Sequence, residues 1–326
     1  MNLPLSQSCY NKSEPIMVSI VVTAYNHEKY IRQTIENFLN QITNFRVEIL
    51  INDDCSTDTT ASIIKGYELK YPTLFRVFYQ KENQYSKGIK PLPNVLFPAT
   101  KGKYIALCEG DDYWTDPFKL QKQVDFLEVN YNFIACSHQT KILRMENFQF
   151  FEDRFDFSES KDLGLNEVVS TLDPFHLSSY MFRCILIPNL ILFFKKWKKP
   201  FSGDSVIYVL SCKLGLIRFF AEEMSVYRLH KGGITSTITN DIPKYLFNQY
   251  ITWVLLSKQF NKNERELYFN PLINYYENYL IKKVKKMKLS NLFTQLKFFY
   301  ISNPIDFSTK FHLTYKLLKN KIFKTI

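Results

Sequence analysis

The chain lacks the glycine-rich loops through which many nucleotide folds cradle phosphate on backbone amides. Neither GxGxxG nor GxxxxGK(S/T) occurs in its 326 residues, which hold only nine glycines. That absence argues against dinucleotide-dependent oxidoreductases and P-loop enzymes. The low glycine count, with thirteen prolines, also excludes collagen-like and low-complexity chains. Six cysteines, at 9, 55, 108, 136, 184 and 212, form no CxxC pair. Zinc knuckles and dithiol redox motifs therefore drop out, and reduced cytosolic thiols are expected. Long apolar runs are scarce as well. The most apolar stretch, 185–194, is interrupted by Pro188 and Asn189, far short of the roughly 20 residues a membrane span needs. The first fourteen residues carry no apolar core, so neither a cleavable signal nor a spanning helix is expected.

What is present is globular. Hydrophobic residues make up 46% and charged residues 22%, and the length suits about two units. Residues 18–23, Val-Ser-Ile-Val-Val-Thr, read as a strand buried on both faces of a parallel sheet. A polar turn, Ala24-Tyr25-Asn26-His27, follows. Ile31, Ile35, Phe38, Leu39 and Ile42 then share one helical face. A second strand at 47–51 runs into Asn52-Asp53-Asp54, after which Ser56 or Thr57 is expected to cap a helix. Strands at 75–79, 103–108 and 133–136 continue the alternation. Asp116-Pro117 reads as a helix start before Leu120, Val124 and Leu127. Prolines 91, 93 and 98 are expected to break any helix before the fourth strand. The pattern predicts a doubly wound α/β layer, and such layers bind ligands at the carboxyl ends of their strands.

Phosphate bound at such an edge must be neutralised without a glycine loop. Asp111-Asp112, at the end of the fourth strand, supply adjacent carboxylates that repel each other unless a cation compensates. Mg²⁺ and Mn²⁺ take few protein carboxylates and complete their shells with phosphate oxygens. A solvated acidic turn is the alternative reading of the pair alone.

In combination, VSIVVTAYN, INDDCSTD and YIALCEGDDYW resemble family 2 glycosyltransferases of the GT-A fold. The continuation TDPFKLQKQVDFLE is similar to a bacterial subgroup that makes surface polysaccharides. The resemblance is strong over 16–138, thinner to about 237, and does not cover the tail. It implies a Rossmann-like α/β/α sandwich with a mostly parallel central sheet at 16–238, after a short extension at 1–15 and before a helical extension at 239–326. It also implies an inverting, metal-dependent hexosyltransferase that uses Mn²⁺ or Mg²⁺ and a nucleotide-sugar donor, expected to be a UDP-sugar. The acceptor would be a glycan or a lipid-linked saccharide.

Carried over by position, Thr23, Tyr25 and Asn26 match nucleotide contacts, and Asp54 matches the carboxylate that accepts from the pyrimidine N3–H. Asp53 reads as a structural or ribose neighbour. Asp112 matches the metal ligand of the DXD motif and Asp111 the ribose or metal-water contact. The first acid of that motif is Gly110 here, and the sequence leaves open whether Glu109 compensates. Asp58 reads as a first-turn helix acid. Asp204 resembles the base that takes the acceptor proton, and by residue type it also suits a helix N-cap. In Val226-Tyr227-Arg228-Leu229-His230-Lys231, His230 matches a metal or phosphate ligand, while Arg228 or Lys231 would neutralise the leaving diphosphate.

The charge is uneven. Residues 280–326 carry eleven lysines against one acid, Asp306, and so hold most of the chain's formal +11. Lys282, Lys283, Lys285, Lys286 and Lys288 cluster ahead of an apolar set, Leu292, Leu296, Phe299 and Tyr300. Leu313, Leu317 and Leu318 repeat the theme beside Lys316, Lys319, Lys321 and Lys324. A basic amphipathic helix can lie in a membrane interface, so the expectation is a cytoplasmic protein attached peripherally to the inner face of the plasma membrane. Packing of these helices on the catalytic domain or on a second subunit, with solvated lysines, is the alternative. Nucleic acid is not expected as a partner, because no reader motif accompanies the charge. A catalytically inactive GT-A binding or scaffold protein acting through this tail is the competing functional class.

Overall fold

In the computed structural model the β-branched runs become neighbouring strands, because segments apolar on both faces are stable only where both are covered. The structure describes residues 3–8, 13–151, 158–171, 174–197, 202–233, 242–285, 296 and 307–322. The first strands are β1 (Ile16–Ala24), β2 (Arg46–Asp53), β3 (Phe75–Tyr79) and β4 (Tyr104–Glu109). β1 pairs in parallel with β2 on one side and β4 on the other, and β2 pairs in parallel with β3. Parallel neighbours need crossovers. α1 (Ile31–Leu39) links β1 to β2, and α2 (Thr60–Lys70) links β2 to β3. α1 buries Ile31, Ile35, Phe38 and Leu39 against the sheet core, each such side chain contributing about 1.5–3 kcal/mol.

Beyond β4 come β5 (Tyr113–Trp114), α3 (Lys119–Val129), β6 (Phe133–Arg144), β7 (Gln149–Phe151) and β8 (Lys161–Leu163). They are followed by β9 (Met181–Arg183) and β10 (Leu216–Leu229). The order across the sheet is β8-β10-β6-β9-β4-β1-β2-β3, with β5 on β10 and β7 on β6. β9 is antiparallel to both β4 and β6, and β10 is parallel to β6. The chain winds outward from β1 to β3 and then returns to the other side of β1. The switch point of the topology thus lies between β1 and β4, where a ligand is expected.

Several local expectations change. The fifth strand runs on to Arg144, and β10 is a fourteen-residue strand that the residue pattern did not predict. Register shifts between Phe220 and Ser225 interrupt its alternation, and irregular pairing erases the two-residue period. The prolines at 91, 93 and 98 do not remove helical structure. A wide turn at Leu92–Leu96 and a helical turn at Phe97–Ala99 form there, with proline at the start of each, where its missing N–H costs nothing. α2 starts at Thr60 rather than just after Ser56 or Thr57. The Asp58 carboxylate accepts from Thr60 N at 2.9 Å and Glu28 N at 3.1 Å.

The chain divides into two compact units. The first comprises Met1–Gly164, Asp173–Lys196 and Leu210–Leu229, and the second Leu165–Leu172, Trp197–Val209 and His230–Ile326. The first holds the sheet. The second holds α4 (Leu165–Thr171), the first seven residues of α6 (Gly203–Ser211), α7 (Ile242–Ser257), α8 (Asn270–Lys285) and α9 (Phe307–Ile322); α5 (Ile187–Lys196) belongs to the first. α9 packs along α8, burying Leu313 and Leu317, and Lys316 Nζ lies 2.7 Å from the Glu277 carboxylate. Leu296 is also buried. Leu313 and Leu317 are therefore internal, covered from within the C-terminal extension itself. Lys286, Lys288, Leu292, Phe299, Tyr300 and Lys324 lie outside the described residues.

Candidate active site

Three turns at the carboxyl edge of the sheet meet beside the switch point. The first, after β1, carries Thr23, Tyr25 and Asn26; the second, after β2, carries Asp53, Asp54 and Ser56; the third, after β4, carries Glu109, Asp111 and Asp112. The strands set their levels, because Thr23 is in register with Asn52 on β2 and with Glu109 on β4. Backbone bonds tie the turns together: Gly110 N donates to Thr23 O and Asp54 N to Ala24 O, both at 2.9 Å.

Side chains lock the first two turns to each other. Asn26 has φ +56, a conformation asparagine tolerates better than most residues. Its N–H donates to Ser56 Oγ at 3.0 Å, and its Oδ1 accepts from Thr57 N at 2.8 Å. His27 N donates to Thr60 Oγ1 at 2.8 Å. Burial works to raise the Asp58 carboxyl, but the bonds from Thr60 and Glu28 and the nearby His27 outweigh it and hold the group below its ordinary value. Asp53 is buried and accepts from Ser56 Oγ at 2.5 Å and Ser56 N at 3.2 Å. The buried Asp54 carboxylate accepts from Gln84 N at 2.8 Å and Tyr85 N at 3.0 Å, so it organises the 82–88 loop. An ionised carboxylate offers about four lone-pair sites, which leaves room for a further donor. Tyr25 is largely exposed and Thr23 half-buried.

The third turn is held from beneath. Thr34 on α1 donates from its hydroxyl to Asp112 O at 2.6 Å, and Gly110 O lies 3.1 Å away. Arg228 N on β10 donates to Asp112 Oδ1 at 2.9 Å. The Arg228 guanidinium donates to Asp111 O and to Gln33 Oε1 and lies over the rings of Tyr30 and Tyr113, 5.2 and 4.3 Å from their centroids. Arg228 is buried and braces the acidic turn through its backbone N–H and two guanidinium nitrogens. Ligand atoms of Glu109, Asp111 and Asp112 all fall within 4.8 Å of one another. Glu109, one residue before the glycine, thus joins the two aspartates in one cluster of oxygen donors.

Asp112 is only 1% exposed. Burial first, and the Asp111 charge second, raise its carboxyl well above the ordinary range, against the pull of Arg228. Three clustered oxygen donors, one of them buried and reluctant to ionise alone, fit a hard divalent cation, whose charge reverses that balance.

The remaining sequence candidates, Asp204, His230 and Lys231, belong to the second unit. Asp204 lies in the first turn of α6. Ser202, not Asp204, sits in the capping position and accepts from Ser205 N at 3.4 Å. Asp204 is thus not the cap. His230 is half-buried, its carbonyl accepting from Gly233 N at 3.1 Å, and Lys231 is exposed.

Sequence reading passed over Gln33, Thr34, Tyr30 and Tyr113, which orient the acidic turn. Tyr30 immediately precedes α1, and Thr34 is a single polar residue on its buried face, a signal too weak to single them out. The pairing of β5 with β10, Ser225 opposite Trp114 and Val226 opposite Tyr113, brings Arg228 to this turn from far along the chain.

Residues 19–185 match the family model for glycosyl transferase family 2, and the chain belongs to that family. A protein of Mycobacterium tuberculosis of uncharacterized function is 33% identical over 238 residues, 70% of this chain and 63% of the relative, so the match spans less than two thirds of that protein. An Escherichia coli UDP-Glc:alpha-D-GlcNAc-diphosphoundecaprenol beta-1,3-glucosyltransferase, WfaP, is 36% identical over 122 residues, 37% of this chain and 45% of that one. Residues 1–349 of S. aureus TarS, solved with UDP-GlcNAc, superpose with a TM-score of 0.67 at 18% identity, covering 94% of this chain and 89% of that one. That likeness is one of fold, and the fold is GT-A.

Proposed function

We propose that this chain is an inverting, divalent-metal-dependent glycosyltransferase that moves a sugar from a UDP-sugar to a glycan or lipid-linked acceptor in bacterial surface-polysaccharide synthesis. The observation that carries it is the cluster of Glu109, Asp111 and Asp112 at the switch point, facing the turns that hold Thr23, Tyr25, Asn26 and Asp54. The E. coli relative, named as acting from UDP-Glc on a diphosphoundecaprenol-linked sugar, supports the donor and acceptor classes. The working boundaries are a catalytic domain at 16–238 and a helical extension at 239–326.

In this reading Thr23, Tyr25 and Asn26 line the nucleoside site, and the spare lone pairs of Asp54 accept from the uracil N3–H, which distinguishes uracil from cytosine. Asp111 faces the ribose and the diphosphate. Mn²⁺ or Mg²⁺, held by Asp112 with Glu109 and Asp111, would supply positive charge for the departing diphosphate, and His230 keeps its role as a metal or phosphate ligand on its match to the family motif alone. Arg228 fixes the acidic turn, and Lys231 adds positive charge to the leaving group. Asp204 accepts the acceptor hydroxyl proton as that oxygen bonds the anomeric carbon and the bond to the diphosphate breaks, a one-step displacement with inversion. Release of UDP from a panel of UDP-sugars with Mn²⁺ and an undecaprenyl-linked acceptor tests the proposal. No release from any donor, with or without metal, would favour a binding role for the fold.

No helix among the described residues is long and apolar enough to cross a membrane. We place any membrane contact in the lysines of 280–326. With Leu313 and Leu317 buried, that contact is electrostatic at anionic lipid headgroups and not insertion of an apolar face.

A further inference from the structure

We propose that His27 is a positioning residue that sets the acidic turn and couples it to the loop after β2; this rests on reading Glu109, Asp111 and Asp112 as the cation site. The backbone of His27 is fixed on two sides. Its N–H donates to Thr60 Oγ1 at 2.8 Å, and its carbonyl accepts from Tyr30 N and Ile31 N at 2.9 Å each, starting α1. The neighbours on either side, Asn26 and Glu28, bond to Ser56 and Asp58. His27 therefore moves with the second turn.

Its ring reaches the third turn. Nε2 lies 3.6 Å from Asp111 Oδ2. Nδ1 faces Gly110, where a β-carbon would sit 2.8 Å from it, 3.1 Å from Ile31 Cδ1 and 3.2 Å from Ala24 Cβ. Real β-carbons almost never approach so closely, so the imidazole fills the volume that a side chain at 110 would need. That packing explains two features together. Residue 110 is glycine where the DXD motif has an acid, and the third carboxylate comes from Glu109. Thr34 and Arg228 hold the main chain of the turn from below, while His27 restrains the Asp111 carboxylate from the side of the nucleotide loop. Residues that orient metal ligands are typically worth 10–100-fold in metal affinity.

Mn²⁺ binding, read by electron paramagnetic resonance, and thermal melting test this on the full chain. His27→Ala should weaken Mn²⁺ binding about 10–100-fold. His27→Gln, whose amide nitrogen can take the place of Nε2, should stay within a few-fold of wild type. Gly110→Ala should melt lower and bind Mn²⁺ poorly, and adding His27→Ala should raise its melting temperature by opening the occupied volume. The positioning role fails if His27→Ala binds Mn²⁺ like wild type, if His27→Gln loses as much as His27→Ala, or if the two melting losses simply add. Wild-type protein that binds no Mn²⁺ would overturn the cation reading and this role with it. Wild-type binding unaltered by His27→Ala would overturn the role alone.

Discussion

At the carboxyl edge of the sheet, polar groups are held by partners distant in sequence: Asp112 by Arg228 and Thr34, Asp54 by Gln84 and Tyr85, Asn26 by Ser56 and Thr57. In the second unit, α8 and α9 bury a leucine stripe and carry basic side chains on other faces, among them the exposed Lys282 and Lys316, 40% exposed. The first region fixes individual atoms, because chemistry depends on which oxygen points where. The second needs only net charge, because attraction to an anionic surface falls off over a Debye length and is indifferent to the exact donor. Substitutions at the sheet edge should therefore act through single atoms, and those in the tail through stability or summed charge.

The largest effect is expected at Asp204. Asp204→Asn should lower kcat by roughly 10²–10⁴-fold while UDP affinity stays near wild type, since Ser202 and not Asp204 occupies the capping position. An equal loss in UDP affinity would move the base elsewhere. At Asp112, the asparagine variant keeps an acceptor for Arg228 N but removes the charge. Metal-dependent UDP binding should disappear and turnover fall by about 10²–10³-fold, the usual worth of one electrostatic stabiliser; calorimetry with undiminished affinity would break the assignment.

The tail sharpens the contrast through stability. Leu313→Ala should cost about 2–5 kcal/mol in denaturant unfolding of the unit that contains it, because the side chain is fully buried. A neutral result would mean that the stripe is free to face lipid. A smaller effect comes from Lys119, buried beside the Trp114 ring at 4.1 Å and bonded to Gln123 Oε1 at 2.8 Å. Burial lowers its amine to about 7, against about 10.4 in an unfolded chain. Between those values the unfolded chain binds a proton that the folded one lacks, so stability rises with pH by up to about 1.4 kcal/mol per pH unit. The penalty is complete below pH 7. Lys119→Met should flatten this slope between pH 7 and 10, and an unchanged slope would assign it to other groups. Least of all is the gain per lysine at a membrane, about 1 kcal/mol each at low salt. Full-length protein should sediment with anionic vesicles at low salt, release as salt rises, and lose binding when 280–326 is deleted. Failure to sediment at low salt would leave packing as the tail's role.

Much of this was legible in the residue pattern. Strands β1 to β4, the start of β6, the helices between them and the charge of the tail follow from local periodicity and composition, which a linear chain displays directly. Asp111 and Asp112 were visible as adjacent acids ending an apolar strand, and the resemblance of the surrounding run to the family's motif, not the pair alone, set them apart from a solvated turn. Glu109 stayed open because nothing within its own turn shows that residue 110 must be glycine. Ile31, Ala24 and the His27 ring impose that condition, and they approach only when α1 and β1 are folded beside β4.

The sequence by itself therefore determined the α/β layering, the family and the neighbourhood of the acidic turn, because each is encoded in short stretches whose residues face one another whatever the rest of the chain does. Only the tertiary structure decided which carboxylates share a site, that Arg228 braces that site from below, that Ser202 takes the capping position before α6, and that Leu313 and Leu317 are buried. The brace and the buried leucines depend on contacts between segments tens to more than a hundred residues apart, as between Asp112 and Arg228, while the cap and the grouping of the carboxylates depend on the backbone path of single turns. The free energy of such contacts exists only once the sheet has fixed its register.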